Sequence, residues 1–519
     1  MKPINTNTSA LRELLTLGAL YVDKTRYLYP LLNQAAGKLY FLSRPRRFGK
    51  SLTISTFEEI FKGNKDLFKG LALYDLPYDW KPYPVIRIDL GSKQADSVEK
   101  LEKKLLEAIA ENSNDRGITT SGCDAASHFL SLIHQLAATS GKVVVLIDEY
   151  DKPILGNIDN PQVGEILKVL KAFYSVVKSA EEHLRFAFLT GVSKFSKVSV
   201  FSDLNNLTDL TMDGRYAAVV GYTQEELEAS FPEYIDRLAE KEAVSKPEVL
   251  AKIRKFYNGY RFSDEKITVY NPVSCGKLFD THKFANYWFE TGTPIMLITL
   301  MKNKQFDIEE EKLRFIDAEA FSAYEADRLD VLPLLFQTGY LTIVETERIG
   351  TMTSYRLDYP NIEVASSFTK LLLSSQTEKP LNQVSGALRN LLVSFSKNDL
   401  DGVFPTLRGL FAGINQDLHI PKEKYYQSLF VMVFRLLGVE IHAEVKTADG
   451  RIDAILQNHD TIYVLEFKLN GTAQEALDQI KTKGYAIPYR NSGKKIVIVG
   501  IEFNWQTRNI AEYIIEHIK

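Results

Sequence analysis

The chain has 519 residues, 45% of them hydrophobic and 25% charged, and its formal net charge is −3. This composition is typical of a globular protein and argues against long disordered tracts. The length predicts about three domains, each large enough to bury its own core. The slightly acidic balance argues against tight non-specific binding to nucleic acid, although it does not exclude a local basic channel.

The N-terminal sequence and the cysteines indicate where the protein resides. Cys123 and Cys275 lie far apart in the chain, which predicts neither a disulfide framework nor a zinc site. The first residues, MKPINTNTSALRELL, lack a basic segment followed by an apolar run. No stretch approaches the roughly 18 apolar residues of a membrane span. We therefore expect a reduced, cytoplasmic protein with no membrane partner.

Residues 38–222 alternate short apolar runs with longer segments of helical period. This alternation predicts a parallel α/β sheet covered by helices on both faces. The predicted strands are LYFL (39–42), VIRIDL (85–90), VVVLID (143–148), RFAFLT (185–190) and AAVV (217–220).

The rest of the chain divides into a helix-rich middle region and a second α/β region. Around Gly350 the sequence predicts a hairpin between two helices, an order compatible with a winged-helix unit and equally with a plain β-ribbon on a helical bundle. The predicted domains are 1–222, 223–380 (the helical middle region) and 381–519. The last of these begins with a helical connector and returns to α/β texture from residue 423.

A phosphate-binding loop (P-loop) is predicted where the strand at 39–42 runs through residues 43–51 into a helix. Its end matches the second half of G-x-x-x-x-G-K-[ST]. In that pattern backbone N–H groups wrap phosphates, the Lys contacts the β- and γ-phosphates, and the hydroxyl contacts Mg²⁺. The expected nucleotide contacts in this loop are Arg46, Arg47, Phe48, Gly49, Lys50 and Ser51.

The loop departs from the pattern at its entrance. The first glycine of the pattern falls at Arg44, whose side chain must point away from the phosphates unless the loop entry differs. Taken alone, the Gly-Lys-Ser tripeptide also fits a helix N-terminus that carries basic surface residues. The strand–loop–helix context favours the nucleotide site.

Carboxylates at the end of the strand VVVLID support the nucleotide site. Asp148 would hold Mg²⁺, directly or through water, and Glu149 would act as general base toward the attacking water. An isolated Asp-Glu after a buried strand is otherwise a turn or a helix cap. Thr190 or Ser193, at the end of the next strand, could sense the γ-phosphate. ATP and Mg²⁺ are therefore the expected cofactors.

The sequence RIDAILQNHDTIYVLEFKL (451–469) predicts a hairpin with an acidic face. If its turn is symmetric about His459–Asp460, Asp453 lies directly opposite Glu466, and period two puts Lys468 on the same face. Opposed carboxylates are destabilising unless compensated, and Mg²⁺ or Mn²⁺ is the natural compensator. The alternative is a salt-bridge cluster in which Lys468 neutralises one carboxylate.

Other polar residues are predicted to join this second site. Glu444 lies on the preceding strand and is a further candidate metal ligand, and Glu423 opens the preceding helix. Gln479 and Tyr485 follow the hairpin, Gln479 on the next helix and Tyr485 further along. A helix cap for Glu423, and solvated positions for Gln479 and Tyr485, are equally compatible with the sequence.

The order of elements after residue 423 resembles the PD-(D/E)XK nuclease superfamily. In this resemblance Asp453 matches the metal-binding Asp, Glu466 and Lys468 match the (D/E)-x-K, and Gln479 matches the helix Gln of many members. Ile452 stands where the family name has Pro. The resemblance implies metal-dependent phosphodiester chemistry on DNA or RNA.

The whole chain resembles bacterial AAA-ATPase-like proteins fused to a PD-(D/E)XK domain. Arg44 belongs to the RPRRFGKS form of the loop in that family. The motifs that carry the resemblance are YVDKT (21–25), RPRRFGKS (44–51), LIDEYDKP (146–153), LTGVSKFSKVSVFSDLNNLTDLT (189–211), FYNGYRF (256–262), GRIDAIL (450–456) and YVLEFKL (463–469).

Two functions follow as hypotheses. The first is an ATP-regulated nuclease, in which Asp453, Glu466 and the Phe467 carbonyl hold the metal ion and Lys468 offsets developing charge. The second is a signalling or scaffold ATPase whose C-terminal domain binds a partner or nucleic acid without cutting it. A nucleotide binder without hydrolysis is disfavoured by Glu149 beside Asp148. Neither hypothesis fixes the oligomeric state.

Overall fold

The structure, a computed structural model, describes most of the chain and divides it into two compact units. The described residues are 1–33, 37–91, 95–158, 160–194, 206–288, 295–304, 306–312, 314–321, 330–413, 423–447 and 450–518. The first unit comprises Met1–Thr291 and Phe315–Glu363, and the second comprises Gly292–Arg314 and Val364–Lys519. The chain therefore passes twice from the first unit into the second. The predicted three-domain division at residues 222 and 380 stays a prediction.

The secondary structure alternates strands and helices at both ends of the chain. The strands are β1 (Leu39–Ser43), β2 (Val85–Asp89), β3 (Val143–Asp148), β4 (Leu184–Gly191), β5 (Thr208–Asp209), β6 (Phe315–Asp317), β7 (Thr342–Ile349), β8 (Met352–Asp358), β9 (Glu440–Thr447), β10 (Gly450–Gln457), β11 (Thr461–Leu469), β12 (Lys495–Asn504) and β13 (Asn509–Ile518). The helices are α1 (Leu11–Thr16), α2 (Thr25–Leu28), α3 (Lys50–Phe61), α4 (Val98–Asn114), α5 (Ala125–Ser140), α6 (Lys152–Leu155), α7 (Val163–Ser179), α8 (Gln224–Ser230), α9 (Pro232–Glu242), α10 (Lys246–Tyr257), α11 (Pro272–Thr281), α12 (Ile295–Asn303), α13 (Ile308–Glu311), α14 (Val331–Gln337), α15 (Ile362–Thr377), α16 (Leu381–Ser396), α17 (Leu400–Phe411), α18 (Glu423–Leu436) and α19 (Ala473–Thr482). In the part of the chain described, no helix combines the length and apolar character needed to cross a bilayer.

The first unit is built on a five-stranded parallel sheet with the order β2-β3-β4-β1-β5. The strand that follows the predicted carboxylates, β4, lies between β1 and β3, so one strand separates the P-loop strand from the carboxylate strand. Because the strands are parallel, their carboxyl ends share one edge of the sheet. Phe57 of α3 packs against Phe186 and Phe188 of β4, which fixes the helix after the P-loop on the sheet.

Four of the five predicted strands of this sheet are confirmed, and the fifth, at 217–220, is wrong. Residues 217–220 are buried but form turns after the short 3-10 helix Gly214–Tyr216, and β5 takes the sheet edge instead. A short apolar run is buried equally well in a strand or in a packed turn, so periodicity alone does not separate the two.

The middle of the first unit is helical, as predicted, and carries a small sheet. Helices α8 to α11 enclose an apolar core that includes Phe231, Leu238, Ile253 and Phe279. The predicted hairpin is confirmed as β7 and β8, and β6 adds an unpredicted third strand in the order β6-β8-β7. The winged-helix arrangement stays a prediction.

The second unit contains a mixed sheet with the order β13-β12-β11-β10-β9, in which only β11 and β12 are parallel. One face packs on a core that includes side chains of α16, α17 and α18, and the other face packs on α19. Helix α19 approaches closely because Gly500 lacks a side chain, and a Cβ there would lie 2.1 Å from the Ala473 carbonyl oxygen. The predicted α/β texture is confirmed, while β13 was not predicted.

Candidate functional sites

The predicted P-loop connects the carboxyl end of β1 to the first turn of α3. Gly49 has φ 101°, a left-handed conformation that favours glycine, and the helix starts at the next residue. Lys50 is buried, and its Nζ donates to the carbonyl oxygens of Arg44 at 2.8 Å and Pro45 at 3.0 Å. Burial lowers the pKa of Lys50, and the charges of Asp148 and Glu149 oppose that shift. A buried ammonium that donates to neutral carbonyls is suited to exchange them for an anion.

Arg44 turns its side chain away from the loop, as the first of the two alternatives predicts. Its guanidinium donates to the carbonyl oxygens of Thr211 at 2.7 Å and Tyr216 at 3.2 Å, and lies 4.4 Å from the ring centre of Phe262. The side chain is only 1% exposed, and burial lowers its pKa to about 9. The arginine in place of the first glycine is therefore a structural anchor for the loop entrance.

The remaining predicted loop residues differ in what they present to a ligand. Arg46 and Arg47 are exposed, and Arg47 has φ 69°. Phe48 is buried against Tyr260 and Phe262, so its side chain belongs to the core and its backbone alone faces the loop.

The carboxylates after β3 are held by residues at the end of β4. Thr190 Oγ1 donates to Asp148 Oδ1 at 2.6 Å, and the Glu149 amide donates to the same oxygen at 3.0 Å. Glu149 has φ 51°, an unusual conformation for a non-glycine residue, and burial raises its pKa. The other predicted sensor, Ser193, instead donates to Asp151 at 2.6 Å. Thr190 is thus the hydroxyl that meets the Asp148 carboxylate.

Asp151 is a buried residue that sequence reasoning missed. Its carboxylate accepts hydrogen bonds from the amides of Val192 and Ser193 and from the Ser193 hydroxyl. It thereby ties the turn after β3 to the end of β4. The motif LIDEYD placed an acid at this position, but an acid in a turn after a strand is too common to single out.

A second missed feature is the end of β2. Asp89 is paired in register with Asp148, and its Oδ1 accepts the Gly91 amide at 2.7 Å. A Cβ on Gly91 would lie 2.7 Å from Glu149 Oε2. Gly91 therefore leaves the space that the Glu149 carboxylate occupies.

A cavity of about 510 Å³ lies against the P-loop. Residues 46–53 and Glu149 form one part of its wall. Its apolar wall is formed by Leu14, Leu20, Tyr21, Val22, Leu28, Val219, Val220, Tyr222, Pro272 and Val273. A polar end beside the P-loop and an apolar remainder suit a phosphorylated ligand with a flat ring system.

The second predicted site lies on β10 and β11, whose register is the predicted one. Ala454 pairs with Leu465, and the pairing continues to Gln457 with Ile462. Backbone pairing stops before Asp453, whose Oδ2 accepts the Phe467 amide at 2.8 Å. The ladder between β10 and β11 does not extend to the predicted pair of Arg451 and Lys468; on its other side Arg451 pairs with Lys446 of β9, and its guanidinium contacts Glu444 at 2.5 Å.

Glu466 is the most buried acid of this site, at 2% exposure. Its Oε1 lies 3.5 Å from Lys468 Nζ and accepts a hydrogen bond from Gln479 Nε2. Its Oε2 is buried and has no hydrogen-bond partner among the described residues. Burial raises the pKa of Glu466, and the nearby charge of Asp453 raises it further. Burial also raises the pKa of Asp453.

The other predicted members of the site are arranged around this pair. Glu423, at the start of α18, accepts the Leu469 amide at 2.9 Å, and Gln427 donates to the Asp453 carbonyl at 2.7 Å. Glu444 has φ 57° and faces Arg451. Tyr485 lies elsewhere, with its hydroxyl beside Gly450.

The donor set fits a divalent cation only in part. Among residues whose placement is described, no group of three or more His, Cys, Asp or Glu side chains is arranged as a metal site. Two carboxylates and a carbonyl suit Mg²⁺, which keeps several waters, better than an ion that needs a full protein cage. Glu466 Oε2 without a hydrogen-bond partner and the raised pKa of both acids are what two carboxylates that bind a cation would show before the cation is bound.

The fold and these sites define two classes of domain, a P-loop ATPase domain followed by a nuclease-type α/β domain. A family model described as predicted AAA-ATPase matches residues 6–201, and one described as PD-(D/E)XK nuclease superfamily matches residues 421–513. The chain belongs to the family of proteins that join these two domains. The resemblance stated from the sequence is therefore confirmed, although residues 195–205 of its fourth motif lie outside the described residues.

A curated relative spans nearly the whole chain. It is an uncharacterized protein encoded in the vnfD 5′ region of Azotobacter chroococcum mcd 1. It is 40% identical over 511 residues, which cover 96% of this chain and 95% of the relative. The two proteins are thus similar over nearly their whole lengths.

Solved structures give weaker similarity. Cdc6p from Pyrobaculum aerophilum is 13% identical, covers 67% of this chain and 93% of its own, and has a TM-score of 0.26. The ORC1 protein of Aeropyrum pernix in complex with DNA is 10% identical, covers 67% and 91%, and has a TM-score of 0.22. Scores of this size do not establish a common fold.

Proposed function

We propose that this protein binds and hydrolyses ATP in its first unit and, under control of that nucleotide, hydrolyses phosphodiester bonds of DNA or RNA at Asp453 and Glu466. The observation that carries the nuclease half is the buried Glu466 Oε2, which has no hydrogen-bond partner among the described residues, on an acid close to the half-buried Asp453. A buried carboxylate oxygen without a partner is costly, and a bound cation would remove that cost.

In the nucleotide site, each residue has a role that follows from its position. Lys50 would exchange the carbonyl oxygens of Arg44 and Pro45 for the β- and γ-phosphates. Ser51 and Asp148 would hold Mg²⁺. Both hydrogen bonds that the Asp148 side chain accepts from described residues go to Oδ1, and Oδ2 accepts neither of them.

Hydrolysis of ATP would use the half-buried Glu149. Its raised pKa makes it a stronger base than an exposed glutamate once it is deprotonated, and it would take the proton of the attacking water. Thr190 would keep the Asp148 carboxylate in place. The apolar wall of the cavity would receive the nucleoside.

In the C-terminal site, Asp453, Glu466 and the Phe467 carbonyl would hold Mg²⁺ or Mn²⁺. Such an ion, when bound, activates water and stabilises the leaving oxygen of a phosphodiester. Lys468 would then face the developing phosphoryl charge rather than Glu466 alone, and Gln479 would keep the Glu466 side chain oriented. Gln427 and Glu423 hold the backbone of the two strands that carry the acids.

A second function is favoured by one observation. Lys468 and Gln479 already contact Glu466, as in the predicted salt-bridge cluster. In that case the protein is a signalling or scaffold ATPase, and its C-terminal domain binds a partner or nucleic acid without cutting it. Metal titration separates the two functions, because a scaffold needs no cation at Asp453 and Glu466.

The test is a cleavage panel of single- and double-stranded DNA and RNA with Mg²⁺ or Mn²⁺, with and without ATP. Wild type should cut at least one substrate, and Glu466→Gln and Asp453→Asn should lose about 10²-fold or more of that rate while ATP hydrolysis persists. Glu512→Gln, an exposed acid on β13, is the matched control. No cleavage by wild type, or equal cleavage by Glu466→Gln, would contradict the nuclease.

A further inference from the structure

The middle of the first unit contacts the P-loop at several points, and one of them is the backbone carbonyl of Arg46. The carbonyl oxygen of Arg46 accepts hydrogen bonds from Trp288 Nε1 at 3.2 Å and from Asn271 Nδ2 at 3.4 Å. Trp288 is 5% exposed, and its ring packs on Tyr340 at 5.1 Å. Neither donor belongs to the strand or helix that flanks the loop, so the loop is tied to a distant part of the sequence.

Trp288 is also tied to a buried acid. Its backbone amide donates to Glu363 Oε1 at 2.8 Å, and Ser274 donates to Glu363 Oε2 at 2.8 Å. Glu363 is fully buried. A buried carboxylate that accepts hydrogen bonds on both oxygens is a strong and directional link, because losing one donor leaves charge without compensation.

The positions of Trp288 and Glu363 in the chain give this link its meaning. The chain first leaves the first unit after Thr291, three residues beyond Trp288, and leaves it again directly after Glu363. Helix α15 begins at Ile362 and continues into the second unit without a break. The hydrogen bond from the Trp288 amide to Glu363 thus joins the two places where the chain leaves the first unit. The hydrogen bond from Trp288 Nε1 to the Arg46 carbonyl joins them to the P-loop.

The P-loop itself is poised to change when it binds phosphate. Lys50 donates to the carbonyl oxygens of Arg44 and Pro45, which directly precede Arg46. When the Lys50 ammonium moves to a phosphate, the Arg44 and Pro45 carbonyls lose these two hydrogen bonds. Both carbonyls lie next to the Arg46 carbonyl, which accepts from Trp288. The hydrogen bonds to the Arg46 carbonyl must then follow the loop or break.

Within the second unit, the segment Gly292–Arg314 contacts the helix that supports the candidate nuclease site. Glu309 on α13 pairs with Arg435 of α18 and with Lys312 at 3.1 Å. Glu309 and Lys312 are buried, whereas Arg435 is partly exposed. Helix α18 also carries Glu423 and Gln427, which bond the strands of the acidic pair.

We propose that Trp288 is a positioning residue that fixes the P-loop to both places where the chain leaves the first unit. Binding of a nucleoside triphosphate and the local stability of segments 295–312 and 364–377 would then affect each other. This coupling rests on the proposed function for its purpose, but its detection needs only nucleotide binding. Trp288 acts through the backbone of the loop and does not touch the substrate.

The experiment is hydrogen–deuterium exchange of the full chain with and without a slowly hydrolysed ATP analogue. In wild type, the analogue should change exchange in peptides from 297–304, 306–312 and 364–377 as well as in the P-loop. Trp288→Phe keeps the ring that packs on Tyr340 and lacks the Nε1–H donor, so it should lose the distant changes. Its nucleotide affinity should fall by only about 2- to 10-fold, the value of one net hydrogen bond.

Controls make the result specific. Trp505→Phe removes an exposed tryptophan of the second unit and should preserve every exchange change. Lys50→Ala should lose all of them because it lacks the phosphate contact. Should Trp288→Phe not fold, Glu363→Met, which has a side chain of similar length and no oxygen to accept the Trp288 amide, decides in the same way.

Two outcomes overturn the proposal. One is a wild-type response confined to residues 44–53, and the other is a Trp288→Phe response equal to that of wild type. A protein that shows the predicted exchange changes but cuts no nucleic acid would refute the nuclease and leave the coupling standing. A protein that cuts nucleic acid without distant exchange changes would refute the coupling and leave the nuclease standing.

Discussion

The two candidate sites each contain a lysine, and different groups surround it. In the P-loop, Lys50 is buried and held by neutral backbone carbonyls of Arg44 and Pro45. On the hairpin, Lys468 is half-buried beside Glu466, and a second acid, Asp453, lies close by. The first site has a buried lysine whose ammonium donates to backbone carbonyls with Asp148 and Glu149 nearby, whereas the second has more acid than base.

This difference predicts which ligand each site should bind. A buried ammonium among carbonyls favours an anion, and a buried carboxylate with an unpartnered oxygen beside a second, half-buried one favours a cation. The lysine of the first site is therefore placed for an anion and the acids of the second for a cation, as a nucleotide site and a metal-dependent hydrolase site require. Variants that break one site should leave the ligand preference of the other unchanged.

The largest expected effect is on ATP hydrolysis. Lys50→Ala should reduce hydrolysis by about 10²–10³-fold, since it removes the charge that faces the phosphates. Glu149→Gln should also stop hydrolysis but should keep nucleotide binding, because it alters the base and not the phosphate contacts. Steady-state phosphate release and equilibrium nucleotide titration measure the two effects.

The control for this first variant is Lys62→Ala. Lys62 lies just after α3 and pairs with Glu58 at the surface, so its loss should leave hydrolysis unchanged. Equal loss of activity in both variants would show that α3 had been disturbed rather than a phosphate contact removed.

The next effect concerns stability of the loop entrance. Arg44→Gly restores the generic first glycine but strands the carbonyl oxygens of Thr211 and Tyr216, and should destabilise the first unit by about 2–3 kcal/mol. Arg47→Gly is the matched control, because Arg47 is exposed and already has φ 69°, which glycine adopts without strain. Thermal unfolding checks both, and an unchanged midpoint for Arg44→Gly would refute the anchor.

The positions of the main residues of both sites could be predicted from the sequence, because both motifs are local. The strand–loop–helix order placed Lys50 and Ser51, and a symmetric turn placed Asp453 opposite Glu466 in the register that β10 and β11 adopt. The family was identified from the same motifs. Local pattern is sufficient where strand period and turn symmetry fix the geometry.

The rest depended on contacts that leave no local pattern. Trp288 reaches the Arg46 carbonyl across 242 positions, and Asp151 meets Ser193 across 42. The buried run at 217–220 forms turns rather than a strand. Tertiary packing decides all three, and a single sequence does not record which distant residue supplies a donor.

A smaller effect should appear in the pH dependence of stability without divalent cation. Both hairpin acids have raised pKa values, so the folded state holds protons that the unfolded chain releases above about pH 4. Stability should therefore fall as pH rises through the window between the ordinary and the raised pKa. Glu466→Gln should flatten this fall, and Mn²⁺ should stabilise wild type more at high pH than at low pH.

Thermal midpoints across this pH range, with EDTA or with Mn²⁺, provide the measurement. A Glu466→Gln profile parallel to that of wild type would mean that this carboxyl does not take up a proton in the folded state. Glu512→Gln serves again as the control, because its carboxyl is exposed on β13.

The smallest effect should come from Gly91. A Cβ at Gly91 would lie 2.7 Å from Glu149 Oε2, so Gly91→Ala must displace the flexible end of that side chain. We expect hydrolysis to fall by about 10-fold with nucleotide affinity unchanged. Gly164→Ala on α7, where a Cβ meets nothing within 4 Å, should have no effect on either quantity. A loss of affinity in Gly91→Ala would place Gly91 in nucleotide binding rather than beside the base.

The most direct measurement is a calorimetric titration of Mn²⁺ into nucleotide-free Lys50→Ala protein, in which the P-loop site is disabled. Asp453 and Glu466 should take up a single ion with release of protons, and the additional change Glu466→Gln should abolish that uptake. Equal uptake by the two proteins, or none by either, would contradict a shared cation between these acids and with it the nuclease chemistry.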